Sequence, residues 1–279
     1  MELTGCSHPP RTVAPTSPQT AEPKTPPQHQ VPAAWDDRFG PEEPARPLPP
    51  PDQLYPLRSG HWSYQIHSRQ GKPQPASVKV VPAGDDPIFP FRRHTPDGRI
   101  EHIGKNLDGA WVIGATVDTK HQAKTVYTPP MVMVPGKLEP GRELKLKCKM
   151  VVQDAKNPNL IRDRGHCTRT MRCDAIQWVH TPAGRFRCYR IRTSLEAKLG
   201  LASVRTTSTL WYSVGFGPVA AHHHERVQTA ILLGWESHQR LMLKDPEPRP
   251  LPEPRTDDAP KAPDDTDADD GGVDQPARP

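Results

Sequence analysis

His222-His223-His224-Glu225 is the densest run of chemistry-bearing side chains in this sequence. On a strand, successive side chains point to opposite faces, so His222 and His224 would project together as metal ligands do, with His223 and Glu225 on the other face. A metal-dependent hydrolase built on that pair needs a third ligand, and no spacing marks one. Neither His-Glu-x-x-His nor Gly-x-Ser-x-Gly occurs. The plain alternative is a polar strand end. A second set is Cys148, Cys167, Cys173 and Cys188. In an oxidising compartment these four make two disulfides, with three pairings open. Closeness in sequence favours Cys167 with Cys173, and placement on buried strand faces favours Cys148 with Cys188. A four-thiolate zinc site is the rival, but it usually contains close Cys-x-x-Cys pairs, and none is present. No nucleophile and base are paired by spacing, and no cofactor is expected.

The fifth cysteine carries a different chemistry. Leu3-Thr4-Gly5-Cys6 resembles a lipobox, in which a Leu three residues before the cysteine and small residues between them let a signal peptidase cut. The thiol of Cys6 then receives a diacylglycerol. Only Met1 and Glu2 precede the motif, where a charged n-region and an apolar h-region of about 7–15 residues belong. The options are a start assigned too late, a trimmed chain or a chance match. The expectation is residues 1–6 as the end of a lipoprotein signal with Cys6 as the lipidated residue, and attachment to a membrane through that lipid. Ser7 fits an outer-membrane destination, on its periplasmic face or at the cell surface.

Proline and charge then divide the chain. Of 37 prolines, 14 fall in residues 1–54 and 9 in residues 245–279, against 14 in the 190 residues between. Segments so rich in proline bury little apolar surface, so 7–54 reads as a disordered tether and 245–279 as a disordered acidic tail. Trp35 and Phe39 are the only aromatics in the tether and are taken as incidental. Residues 55–244 are long enough for one domain with its own core, and no stretch approaches the ~20 apolar residues of a membrane helix. This part holds 29 Lys/Arg against 14 Asp/Glu, while the tail holds 4 against 11. A basic body with an acidic tail implies an anionic partner or self-shielding, with plain solubility as the other reading.

Within 55–244 the apolar residues recur at period two. Trp62, Tyr64 and Ile66 alternate with His61, Ser63, Gln65 and His67, while Leu144, Leu146, Cys148, Met150 and Val152 alternate with Lys145, Lys147 and Lys149. Further strands are expected at 77–81, 99–104, 110–117, 171–179, 185–194, 204–212 and, with a break, 219–233. A short helix is expected at 229–241. Along 185–194, Phe186 and Cys188 share a face, but Tyr189 and Ile191 take the opposite phase, which predicts a bulge and a bent strand. The reading is an all-β domain with a mainly antiparallel, strongly curved sheet, half-barrel-like in form, flanked by disordered arms.

Tyr55-Pro56-Leu57 with Gly60, Trp62 and Tyr64, then Pro182-Ala183-Gly184-Arg185-Phe186, then Trp211-Tyr212 with Gly215 and Gly217, resemble an uncharacterised group of bacterial envelope lipoproteins similar in form to LolA-like half-barrels. The resemblance implies a curved sheet in the cell envelope and supplies no activity. A curved sheet does not fill its own mouth, so an apolar cleft is expected, with Trp62, Tyr64, Trp178 and Trp211 as candidate lining and the basic residues on its rim and outer face. The function expected is non-catalytic binding of an apolar or anionic envelope component or a protein partner. The alternatives are the metal-dependent hydrolase and, if the lipobox is false, a cytosolic nucleic-acid binder using Arg162, Arg164, Arg169, Arg172, Arg185, Arg187, Arg190 and Arg192. Sparse aromatics among those arginines argue against nucleic acid, and none is expected as a partner.

Overall fold

Residues 34–67, 72–200, 202–229 and 234–245 are described by a computed structural model, and all fall within one unit, Val31–Pro279. Cys6 and the tail beyond 245 lie outside the described residues. A 3-10 turn at Asp36–Arg38 leads into β1 (Phe39–Pro44), and a short helix α1 (Pro51–Leu54) follows. The strands then run β2 (Gly60–His67), β3 (Gln74–Pro82), β4 (Phe91–His94), β5 (Arg99–Lys105), β6 (Trp111–Asp118), β7 (Ala123–Val134) and β8 (Glu143–Asp154). The long β9 (Ile161–Thr181) and β10 (Gly184–Leu199) form a hairpin, and β11 (Ala202–Ser213), β12 (Gly217–Thr229) and β13 (Gly234–Leu243) complete the set.

Each strand pairs antiparallel with the next from β2 to β13, and β13 pairs back onto β2. The expected all-β, antiparallel, strongly curved sheet is therefore present, and its curvature goes past a half-barrel to close a ring of twelve strands. Alternation explains the wall: on β8, Cys148 and Met150 are buried while Lys145, Lys147 and Lys149 stand outside. A barrel that crosses a bilayer needs an apolar outer band, and this row of lysines is its opposite. Of the cysteines on the expected buried faces, the structure joins Cys148 to Cys167 and leaves Cys173 and Cys188 as buried thiols. This corrects the favoured pairings. Cys148 and Cys167 are direct partners in the β8–β9 register, with Cα atoms 5.4 Å apart, and that geometry suits a disulfide.

Residues 34–54 belong to the fold, not to a tether. β1 pairs with the end of β9 that extends beyond β8, and Trp35 and Phe39 pack over Trp211, Phe39 stacking on it at 4.4 Å. This cover accounts for the phase change along β10. Phe186, Cys188 and Arg190 face outward and are buried, Arg190 against Glu42 of β1 and Phe186 against Phe216, whereas Ile191 and Ala197 face inward. The extra residue expected on β10 sits instead on β9, where Asp174 falls between the Arg190–Ala175 and Ile191–Cys173 pairs. Its carboxylate binds Arg190 and Arg192, each at 2.7 Å. The helix expected at 229–241 is also corrected, because 234–243 is β13.

α1 and Tyr55 lie across one end of the ring. Trp111 Nε1 donates to the Tyr55 carbonyl at 3.1 Å, Gly215 N donates to the Gln53 carbonyl at 2.7 Å, and Lys105 pairs with Asp52 at 2.6 Å. Gly217, at φ +82°, has no room for a side chain, since a Cβ there would come within 2.4 Å of the Tyr55 ring. We expect Cys148→Ser to lower the unfolding free energy by about 2–3 kcal/mol in urea. Alkylation of the native protein should leave Cys148 and Cys167 blocked. Masses after reduction should show one disulfide in the β domain, not two.

Candidate functional site

Inside the ring the side chains do not meet, and a cavity of about 310 Å³ remains. Its lining comes from every strand of the ring except β8, with Val78, Ile113, Met131, Leu195, Leu210 and Leu241 as its apolar surface. Twelve strands make an interior too wide for side chains alone to fill, unlike the eight-stranded case. The polar lining is concentrated. Tyr64 donates its hydroxyl to the Pro218 carbonyl at 2.9 Å, and burial raises its phenol above the ordinary value. Burial likewise pushes the Tyr212 phenol up to about 12.

The charged groups of this lumen are mostly matched. Arg93 donates from Nε to Glu101 at 2.6 Å, with side chains only 16% and 15% exposed, and reaches the Tyr55 hydroxyl at 3.4 Å. Burial pulls the Arg93 guanidinium down, but Glu101 and Tyr55 outweigh it and hold the charge above its usual value. Arg99 at the mouth pairs with Asp97 at 3.2 Å and with Glu225 at 3.6 Å. Ser208 and His223 are cross-strand partners, with Ser208 Oγ 2.8 Å from His223 Nδ1. Burial pulls His223 down to about 4, so the ring is neutral near pH 7.

Arg169 is different. It lies on β9 between Cys167 and Met171 on the inward face, opposite Leu146 and Leu195, and lines the cavity. Its Nε is shut off from solvent without a hydrogen-bond partner, and its guanidinium makes no ion pair with any described residue. Burial pulls its pKa below the ordinary value, the reverse of Arg93. A buried donor left without an acceptor costs about 1–3 kcal/mol, and the nearby acids are already paired with Arg93 and Arg99.

Of the expected lining residues, only Tyr64 reaches this cavity. Trp62 is buried in the core without lining it. Trp178 stacks beneath the Arg185 guanidinium at 4.4 Å, and Trp211 lies on the outer face, where its Nε1 donates to Gln177 Oε1 at 3.0 Å. The expectation that basic residues stay on rim and exterior is also corrected by Arg93 and Arg169. His222 and His224 share the outer wall, as alternation predicts, while His223 and Glu225 face the lumen. The arginine patch is broken up. Arg169 is inside, Arg190 is buried against Glu42 and Asp174, Arg187 pairs with Glu43 and Arg162 with Asp154.

No family model matches the chain, and no curated protein matches it. Among solved structures it is similar to a candidate lipoprotein of Parabacteroides distasonis, at 14% identity over 69% of this chain and 97% of that one, with a TM-score of 0.34. It is also similar to the hypothetical lipoprotein YmcC of Escherichia coli, at 8% identity over 68% and 89%, with a TM-score of 0.35. A third likeness is to a candidate exported protein with a YmcC-like fold from Bacteroides fragilis, at 11% identity over 69% and 97%, with a TM-score of 0.31.

Breaking the lumen pair should be costly, because it strands a buried charge. Glu101→Gln is expected to destabilise the domain by about 3 kcal/mol in urea titration. Glu139→Gln, which removes an exposed partner of Arg142, is expected to change stability by less than about 0.5 kcal/mol.

Proposed function

We propose that this chain is a non-catalytic, lipid-anchored protein of the cell envelope whose barrel lumen binds a small amphipathic anion. The observation that carries the ligand class is Arg169, a lumen cation with no ion pair among the described residues, set beside an aliphatic lining while the other lumen charges are paired with one another. A carboxylate or phosphate head would supply the missing counter-charge, and an aliphatic body would lie against Leu195, Leu210 and Leu241. The size, about 310 Å³, is at the small end for ligand sites. It suits a short-chain lipid fragment or medium-chain fatty acid better than an intact phospholipid.

The anchor rests on Leu3-Thr4-Gly5-Cys6 and on Ser7. The lysine-studded outer wall of β8 agrees with attachment through lipid and not through the strands. The metal-hydrolase alternative places its two histidines on the outer wall, away from the cavity. A nucleic-acid role would have to break the ion pairs of Arg162, Arg187 and Arg190.

The test compares decanoate with decanol by calorimetry on the wild type and on Arg169→Leu. The wild type should prefer the acid by tenfold or more, and Arg169→Leu should abolish that preference while stabilising the empty fold by about 1 kcal/mol or more. Equal affinity for acid and alcohol in the wild type, or no binding of either, contradicts the ligand assignment. For the anchor, expression behind a complete lipoprotein signal should give an acylated, membrane-bound protein, and Cys6→Ala should be released.

A further inference from the structure

The outer wall holds a second constellation, unrelated to the lumen. Pairing of β12 with β13 sets His224 directly opposite His238, and Arg226 opposite Glu236. Side chains two residues apart share a face, so His224, His238 and Glu236 converge on the outside. The two imidazole rings are parallel within 4° at 4.2 Å between centroids. His224 Nε2 hydrogen-bonds Glu236 Oε1, and His238 Nε2 lies 3.4 Å from the same oxygen. One donor atom from each residue lies within 4.8 Å of the other two.

Direct cross-strand partners have Cβ atoms about 5 Å apart, which lets two imidazoles reach one point without backbone movement. The side chains are 34%, 33% and 52% exposed, open enough for an ion to enter and for water to complete its shell. We propose that His224, Glu236 and His238 form a zinc(II) site on the barrel wall. Two imidazole nitrogens and one carboxylate oxygen suit a borderline cation such as zinc and not calcium or magnesium, which favour all-oxygen shells. His222 is not part of the set, because only His224, Glu236 and His238 bring donor atoms within 4.8 Å of one another. A bound ion would pin β12 to β13, the pair that joins the hairpins of the second half of the chain to β2.

The experiment titrates zinc chloride into the full-length protein and into three variants, with circular dichroism to confirm the fold. Wild type should take up one zinc more than His238→Ala, and Glu236→Gln should bind that ion at least tenfold more weakly. His222→Ala should stay within threefold of wild type. Thermal unfolding of wild type, but not of His238→Ala, should shift upward with zinc concentration. Identical stoichiometry and affinity in wild type and His238→Ala would overturn the site. Loss of the ion in His222→Ala would equally overturn the assigned ligand set.

Discussion

The pairing of β8 with β9, running from Glu143–Arg172 to Gln153–Ile161, is the contact on which the rest of the molecule depends. Without it the sheet would run from β9 round to an open edge at β8, and open edges invite unwanted pairing. With it the ring closes, and one edge of β9 is long enough to serve two strands, β8 along its first half and β1 along its second, while β10 takes the other edge. The Cys148–Cys167 disulfide lies within the closing pair. Gly165 permits the same strand to lie close to β10, because a Cβ there would meet the Lys198 carbonyl at 1.9 Å.

Closure changes what the interior must solve. An open sheet can leave its polar residues to water, but a closed ring of twelve strands traps whatever faces inward. Arg93 with Glu101, Tyr64 with the Pro218 carbonyl, and Ser208 with His223 are local answers to that problem. Arg169 has no such answer within the described residues, and this makes it the point where an external anion contributes most. The end plug of α1 and Tyr55 ties directly into this network through Arg93. Fold and lumen are thus one construction.

Strands with one wet face were legible. β8 and β2 alternate cleanly, and the same rule puts His223 and Glu225 opposite His222 and His224. β13 was not legible because both faces of its middle are polar: Ser237 and Gln239 line the lumen while Glu236, His238 and Arg240 stand outside, so no binary pattern precedes Leu241–Leu243. β7 carries Pro129 and Pro130, which remove ladder donors, and its register with β6 shifts around them. Residues 34–54 were misread because average composition hides a few anchors, Trp35, Phe39 and the fully buried Leu54. In the site, Arg169 shares parity with Cys167, Met171 and Cys173. That single charged residue on a buried face was the available signal, masked by grouping it with the surface arginines.

The most direct test of the central claim follows the Arg169 side chain itself. In protein labelled with 15N at arginine Nε, the Arg169 resonance, assigned by its loss in Arg169→Leu, is followed while decanoate and then decanol are added. A large saturable shift is expected with decanoate, as the unpartnered Nε acquires a carboxylate acceptor, and little change with decanol. An Arg169 resonance that stays fixed while decanoate binds would contradict it, because the anion would then sit somewhere other than the lumen.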